Sequence, residues 1–336
     1  MAYNLPYLKY KNLIAKSRAV LAPMAGVTDI PFRLMVRKWA KESLVFTEMI
    51  TSVSFVQSRK IEEIAKITEE DHPIIFQFCG NDTYFLAKAA ERAQKIGADG
   101  IDINMGCPMQ KIAKKGEGAG LLRDIKKTQE IFETVVKSTD LPVSVKIRSG
   151  WDDNSIIAKE YSQLAENCGL SAVAIHGRTK EQLYSGKANW DYIKEAQEAV
   201  SIPVIGSGDL FTPEDAKRML DYTKCAGAWV ARGCLGSPWI VAQIDNYINT
   251  GEKGLEFTPV EKIGFMIEHL GLMVQYLGER KAVLEARKHI AWCIKGLEGN
   301  ELVRQKINTL LSHLEVVKEL EDYQKNLIIN EHNFIS

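Results

Sequence analysis

Short runs of β-branched and aliphatic residues alternate along this chain with longer stretches whose apolar positions recur at helical spacing. The runs near 18–24 (RAVLAPM), 44–47 (LVFT), 73–78 (PIIFQF) and 99–104 (DGIDIN) predict strands. So do those near 142–147 (PVSVKI), 171–176 (SAVAIH), 203–206 (PVIG) and 227–231 (GAWVA). Amphipathic periods between them predict helices, clearest at 82–96, 124–138, 154–167 and 212–222. A strand followed by a helix, eight times over, is the pattern of an α/β fold closed into a parallel (β/α)8 TIM barrel. A doubly wound open sheet is the alternative, and eight units are more than it needs. Pro73, Pro142 and Pro203 open strands, where proline costs no ladder bond. Gly97, Gly169 and Gly227 stand just before strands, where left-handed helix caps are expected.

Past about Thr250 the strand signal stops. Gly251 to Gly254 reads as a linker, and Pro259 opens a region of helical periods near 259–277, 280–296, 300–312 and 314–327. The expectation is a barrel over 1–250 followed by a small all-α bundle over 251–336.

Catalytic groups of such barrels gather at the C-terminal ends of the strands. Those ends carry Pro23-Met24, Glu48, Gln77, Asn104 to Cys107, Lys146 with Arg148, His176 with Arg178, Gly208-Asp209 and Arg232-Gly233. The strand bodies are apolar and the ends polar or glycine-rich, which a purely structural barrel would not need. Gln77, Lys146, His176 and Arg178 supply many hydrogen-bond donors and few bases. Gly208 and Gly233 end strands seven and eight, where barrels commonly bind phosphate. A large planar phosphate-bearing cofactor suits this ring, flavin mononucleotide (FMN) being the usual one. A lysine beside N1 and O2 of a flavin would stabilise negative charge on the reduced ring.

Composition narrows the picture only a little. The 336 residues hold 43 Lys plus Arg against 43 Asp plus Glu, so net charge does not advertise a nucleic-acid partner. Local charge decides that question. Six cysteines are spread with no CxxC and no close histidine pairing, which argues against a metal. The start, MAYNLPYLKYKN, lacks the apolar stretch of a secretory signal, and no segment approaches the roughly 20 apolar residues of a membrane helix. A reducing cytoplasm, and a monomer, are the default expectations.

Several motifs, in order, resemble those of one enzyme family. They are Ala22-Pro-Met-Ala-Gly-Val-Thr-Asp29 with Pro31-Phe-Arg33, Asn104-Met-Gly-Cys-Pro108, Lys114-Lys-Gly116 and Leu121-Leu-Arg-Asp124. His176-Gly-Arg-Thr179, Tyr184-Ser-Gly186 and Ser237-Pro-Trp239 complete the set. The resemblance is to the tRNA-dihydrouridine synthases, closest to the bacterial B-type subfamily, and it runs from about residue 18 to at least 310.

That resemblance implies an FMN enzyme, driven by NADPH, that reduces the uracil C5–C6 bond of transfer RNA. It implies that Cys107 is the general acid, protonating C5 after reduced flavin delivers hydride to C6. A thiol of ordinary acidity, pKa about 8.5, holds its proton near neutral pH as that role requires. It makes Lys146, Gln77 and His176 flavin contacts, lays Pro23, Met24 and Ala25 along the ring edge, and gives the phosphate to Gly208, Asp209 and Arg232. Two positions depart from the subfamily: Ser207 stands where asparagine is usual, and Ala231 where glycine is. Backbone hydrogen bonding can survive both. Asn104, Arg148 and Arg178 are expected to contact the substrate.

Gly116-Glu-Gly118-Ala-Gly120 superficially resembles a dinucleotide fingerprint, yet it does not open a helix directly after a strand. A mobile lid carrying Lys111, Lys114 and Lys115 towards phosphates is the better expectation. In the bundle, Arg280, Lys281, Arg287, Lys288 and Lys295 recur at seven-residue spacing and share a face. Arg287 to Trp292 also resembles the family's RNA-binding helix, so Arg287, Lys288 and Lys295 are expected to meet tRNA phosphates. Rival readings keep the chemistry but act on ribosomal RNA, or make this a flavin barrel reducing a small pyrimidine-like substrate, or a flavin-free RNA-binding factor.

Overall fold

A computed structural model describes residues 8–58 and 65–335, with side chains through Ile329. Residues 1–7, the start of the segment expected not to act as a secretory signal, lie outside the described residues. An antiparallel hairpin of β1 (Leu8–Tyr10) and β2 (Leu13–Ala15) comes first. The sheet strands are β3 (Ala19–Leu21), β4 (Val45–Phe46), β5 (Ile50–Thr51), β6 (Ile74–Cys79) and β7 (Gly100–Met105). They continue with β8 (Val143–Arg148), β9 (Ala172–His176), β10 (Val204–Ser207) and β11 (Gly227–Val230). Every pairing among them is parallel, in the order β3-β11-β10-β9-β8-β7-β6-β4, with β5 also on β6. Leu21 N–H donates to the Leu44 carbonyl at 3.0 Å and draws the two outer strands together. This is the (β/α)8 barrel.

Side-chain parity divides its core in two, as a strand period of two must. Ile74, Phe76, Ile101, Ile103, Val143, Val145 and Ile175 face outward into one cluster with the surrounding helices. Val20, Phe46, Ile75, Ala172, Ala174, Ile205 and Trp229 face inward. Leu8 and Tyr10 of the hairpin join that inner cluster and close the barrel floor.

Three local features differ from expectation. The second barrel strand is split into β4 and β5, because Thr47 to Met49 leave the ladder and carry Glu48 to the barrel mouth, where it accepts from Gly26 N–H. The helix expected from 154 begins at Ala158, since the Asp152 carboxylate accepts from Asn154 N–H and Ser155 Oγ and holds a turn first. Gly227 is the first residue of β11 rather than a cap; the preceding helix, Pro213–Thr223, is capped by Lys224 at φ +58°.

The last barrel helix, Ile240–Thr250, is followed by four helices among the described residues: Pro259–Leu277, Glu279–Cys293, Asn300–Ile307 and His313–Ile335. Thr258 and Glu261 form a capping box on the first of these, with Pro259 at its opening position. They enclose a core of their own around Ile263, Leu270, Val283, Ile290 and Leu320. Phe32 of the barrel packs against His269 and His289 at centroid distances of 5.8 and 5.7 Å, seating the bundle beside the barrel mouth.

Candidate active site

Inward parity continues to the strand ends and turns polar there. Above Ile75 stands Gln77, above Asp102 stands Asn104, above Ser144 stand Lys146 and Arg148, and above Ala174 stands His176. A cavity of about 620 Å³ opens over this ring. All eleven residues expected to hold a cofactor line it: Pro23, Met24, Ala25, Gln77, Lys146, His176, Ser207, Gly208, Asp209, Ala231 and Arg232. Cys107, Asn104 and Arg148 line it too, and the bundle adds Lys288 and Trp292.

Cys107 is held by a chain of hydrogen bonds that begins below the cavity. The buried Asp102 carboxylate accepts from Gln77 Nε2 at 2.7 Å and from Ser144 Oγ at 2.6 Å. Gln77 Oε1 accepts from Asn104 Nδ2 at 2.8 Å, and Asn104 Oδ1 accepts from Cys107 N–H at 2.9 Å. On its other side the Cys107 carbonyl accepts from Ala119 N–H at 3.1 Å. The thiol-bearing loop is thus tied at both ends, leaving a half-buried cysteine at the cavity wall.

Electrostatics at the floor are cationic. Burial, with Arg148 nearby, pulls the Lys146 ammonium down to about 8, and Asp102 partly offsets that. Its Nζ lies 5.5 Å from the ring of Trp229. Burial also drives His176 well below its ordinary value, reinforced by Lys146, Arg148, Arg178 and Arg232, so the imidazole is neutral. Its Nε2 is buried without a protein partner. An electron-rich ring edge bearing carbonyl groups would satisfy both.

Beyond His176 lies a cradle. Gly208 has φ +120°, and a Cβ there would stand 2.6 Å from Ala188 Cβ, so only glycine fits. The Asp209 carboxylate is fully engaged, accepting from Arg178 Nη2 at 2.8 Å, Arg232 Nη2 at 3.3 Å and Ala188 N–H at 2.8 Å. It therefore has only its backbone to offer an anion, while it aims Arg232 at the cavity. Arg232 is stacked between Tyr184 and Phe211, 4.6 and 5.2 Å from their ring centroids. A flat group ending in phosphate fits this donor set.

Other expectations are redirected. Arg178 does not face the cavity: it is buried, donating to the Ser185 and Gly186 carbonyls as well as to Asp209, and so positions the cradle. Arg148 reaches the cavity while donating to the carbonyls of Gly106, Thr179 and Leu183. Lys111, Lys114 and Lys115 are exposed and outside the cavity. The glycine segment is no loose lid. Gly118–Arg123 forms a 3-10 turn with Ala119 and Leu121 buried, and a Cβ on Gly120 would meet the Ala113 carbonyl at 2.6 Å. The basic stripe divides: Arg287 is half-buried and donates to the Leu310 carbonyl, Lys288 pairs with Glu285 and enters the cavity, and Arg280 and Lys295 are exposed. Asp102 carries no motif signal because it lies within a strand, although it shares the inward parity of Asn104. Tyr184 belongs to the Tyr184-Ser-Gly186 motif and Trp292 ends the segment that resembles an RNA-binding helix, whereas Trp229, inside a strand, gives no signal of its own.

Fold and site define a flavin-dependent oxidoreductase built on a barrel. The family model described as Dihydrouridine synthase (Dus) matches residues 20–328, and this chain belongs to that family. It is 40% identical to tRNA-dihydrouridine synthase B of Pseudomonas aeruginosa over 296 residues, covering 88% of this chain and 89% of that one. It is 38% identical to a probable tRNA-dihydrouridine synthase 1 of Synechocystis over 300 residues, covering 89% and 84%. Among solved structures, morphinone reductase shares the barrel with a TM-score of 0.55 at 11% identity, over 75% of this chain and 91% of that one. Among the described residues no helix is long and apolar enough to cross a membrane, and no group of three or more His, Cys, Asp or Glu side chains could hold a metal.

Proposed function

We propose that this protein is a cytoplasmic tRNA-dihydrouridine synthase that reduces the C5–C6 double bond of transfer-RNA uridines, with FMN as resident cofactor and NADPH as reductant. The observation that carries the reading is a cysteine, anchored through an amide chain, on the wall of a cavity with Lys146 at its floor and a glycine–arginine cradle at its far side. FMN, when bound, supplies hydride to uracil C6 and is itself replenished by NADPH.

Lys146 and His176 would hold the ring, Gln77 would bond its edge, and Gly208 with Arg232 would hold the phosphate. Cys107 keeps a proton on Sγ for C5 and receives the next one from solvent. Pro23, Met24 and Ala25 form the wall that excludes water beside the ring. Lys288 and Trp292 bring the helical bundle to the same mouth, and the names of the relatives make tRNA the polymer to test. The target uridine must leave its stack to enter, at a cost of a few kcal/mol. Lys288, Lys295 and Arg280 would meet the backbone around it.

The test uses purified protein. The released flavin should be FMN, and the enzyme with NADPH should form dihydrouridine in an unmodified tRNA transcript, read by mass spectrometry. Activity on free uridine but not on tRNA would turn the reading into a small-molecule reductase. Activity on ribosomal RNA alone would keep the chemistry and replace the substrate.

A further inference from the structure

We propose that Asp102, in the body of β7, is a positioning residue that sets which way the Gln77 and Asn104 amides point, and so where Cys107 sits. The proposal rests on the reading of Cys107 above. Three neighbouring strands place Gln77, Asp102 and Ser144 in one row, since Gln77 pairs in register with Asp102 and Asp102 with Ser144. Asn104 stands two residues further along β7, one layer nearer the cavity.

Direction in this chain is fixed at its two ends, by the Asp102 carboxylate below and by the backbone N–H groups of Cys107 and Gly106 above, and Asp102 is the side chain that makes the two agree. An amide side chain can turn over and exchange donor for acceptor, whereas a carboxylate can only accept. Asp102 accepts from both Ser144 and Gln77. The Gln77 oxygen is thereby turned to Asn104 Nδ2, and the Asn104 oxygen to the N–H groups of Cys107 and Gly106, the latter at 3.3 Å. The Asn104 oxygen accepts twice and the Gln77 oxygen is turned to Asn104, while each amide nitrogen keeps one N–H beyond its bond in the chain, so these residues retain N–H donors for anything in the cavity. Such donors select carbonyl acceptors. Burying a carboxylate is costly, and here Lys146 supplies a nearby compensating charge. Burial raises Asp102 to about 6, its bonds to Ser144 and Gln77 and the charge of Lys146 holding it from rising further.

The chain can be reversed without changing its heavy-atom count or charge. Asn104→Asp alone removes the donor to Gln77 Oε1 and leaves two carboxylates competing for the Gln77 amide, so the side chain at position 104 is pushed away from Gln77 and the Cys107 loop that it holds shifts with it. Adding Asp102→Asn reverses the links between the side chains. The new amide at position 102 would donate to Gln77, and Gln77 would donate to the new carboxylate at position 104. That carboxylate would still accept from Cys107 N–H, and Ser144 would keep an oxygen to donate to.

The experiment measures iodoacetamide alkylation of Cys107 by peptide mass spectrometry in flavin-loaded protein, alongside the thermal midpoint. Asn104→Asp should change the Cys107 rate by about tenfold, and the double variant should return it to within about threefold of wild type, a coupling expected only of residues in one network. A double variant no closer to wild type than Asn104→Asp, or effects that simply add, overturns the proposal. If Asn104→Asp does not fold, recovery of folding by adding Asp102→Asn is the supporting result and continued misfolding the opposing one. Absence of tRNA reduction by wild-type protein would refute the functional reading and leave this thiol readout intact.

Discussion

Replacing Lys146 by methionine should stabilise the cofactor-free protein while weakening its grip on flavin. The ammonium is pulled from 10.5 to about 8 by burial, so keeping it charged at neutral pH costs the empty fold about 3 kcal/mol at 1.36 kcal/mol per pKa unit. Methionine has similar length and no charge to desolvate, so Lys146→Met should recover about 1–3 kcal/mol, read as a higher urea midpoint of the apo protein. The sign with pH follows by linkage. Between about 8 and 10.5 the unfolded chain binds the lysine proton and the folded chain does not, so wild-type apo stability rises with pH across that window. Lys146→Met should lack the rise. A charge-assisted hydrogen bond to the ring would be lost with it, about 1.5–3 kcal/mol or roughly 10- to 150-fold in flavin affinity, measured by fluorescence titration. Equal urea midpoints and equal flavin affinity in the two proteins would refute the assignment of Lys146 to the cofactor.

Cys107→Ala should bind flavin and oxidise NADPH as wild type does, yet form dihydrouridine about 10²–10⁴-fold more slowly, by single-turnover mass spectrometry; normal product formation would remove it from the proton transfer. Arg178→Ala leaves the Asp209 carboxylate with Arg232 and Ala188 alone, and should cost about 3–5 kcal/mol of stability and release flavin on gel filtration. Lys288→Ala should weaken tRNA binding and reduce the slope of affinity against salt by about 1, whereas Arg287→Ala should chiefly lower the thermal midpoint. The reverse assignment of those two effects would show that the helix presents its other side.

Much of this architecture was legible because strand parity is a strong local signal. Gln77, Asn104, Lys146 and His176 each follow an apolar run at its C-terminal end, and the barrel brings all four to one cavity. For Arg178 and Arg287 the sequence shows a charge and not its partner, so substrate contact is the expectation it supports. Their partners, Asp209 and the Leu310 carbonyl, lie 31 and 23 residues away. The glycines at 116–120 read as flexibility, although Gly120 is small because the Ala113 carbonyl lies against it. The β1–β2 hairpin is too short for periodicity to reveal, and its place under the barrel comes from Leu8 and Tyr10 packing on inward-facing residues. Asp102 was readable in principle, being a carboxylate on the inward parity of an otherwise apolar strand.

The central claim is best tested by mapping dihydrouridine in the tRNA and ribosomal RNA of a strain lacking this gene, with wild-type and Cys107→Ala copies returned to it. The account predicts loss at a defined tRNA position, restored by the wild-type copy and not by Cys107→Ala. Unchanged dihydrouridine in every tRNA, with no loss when the gene is removed, would contradict it.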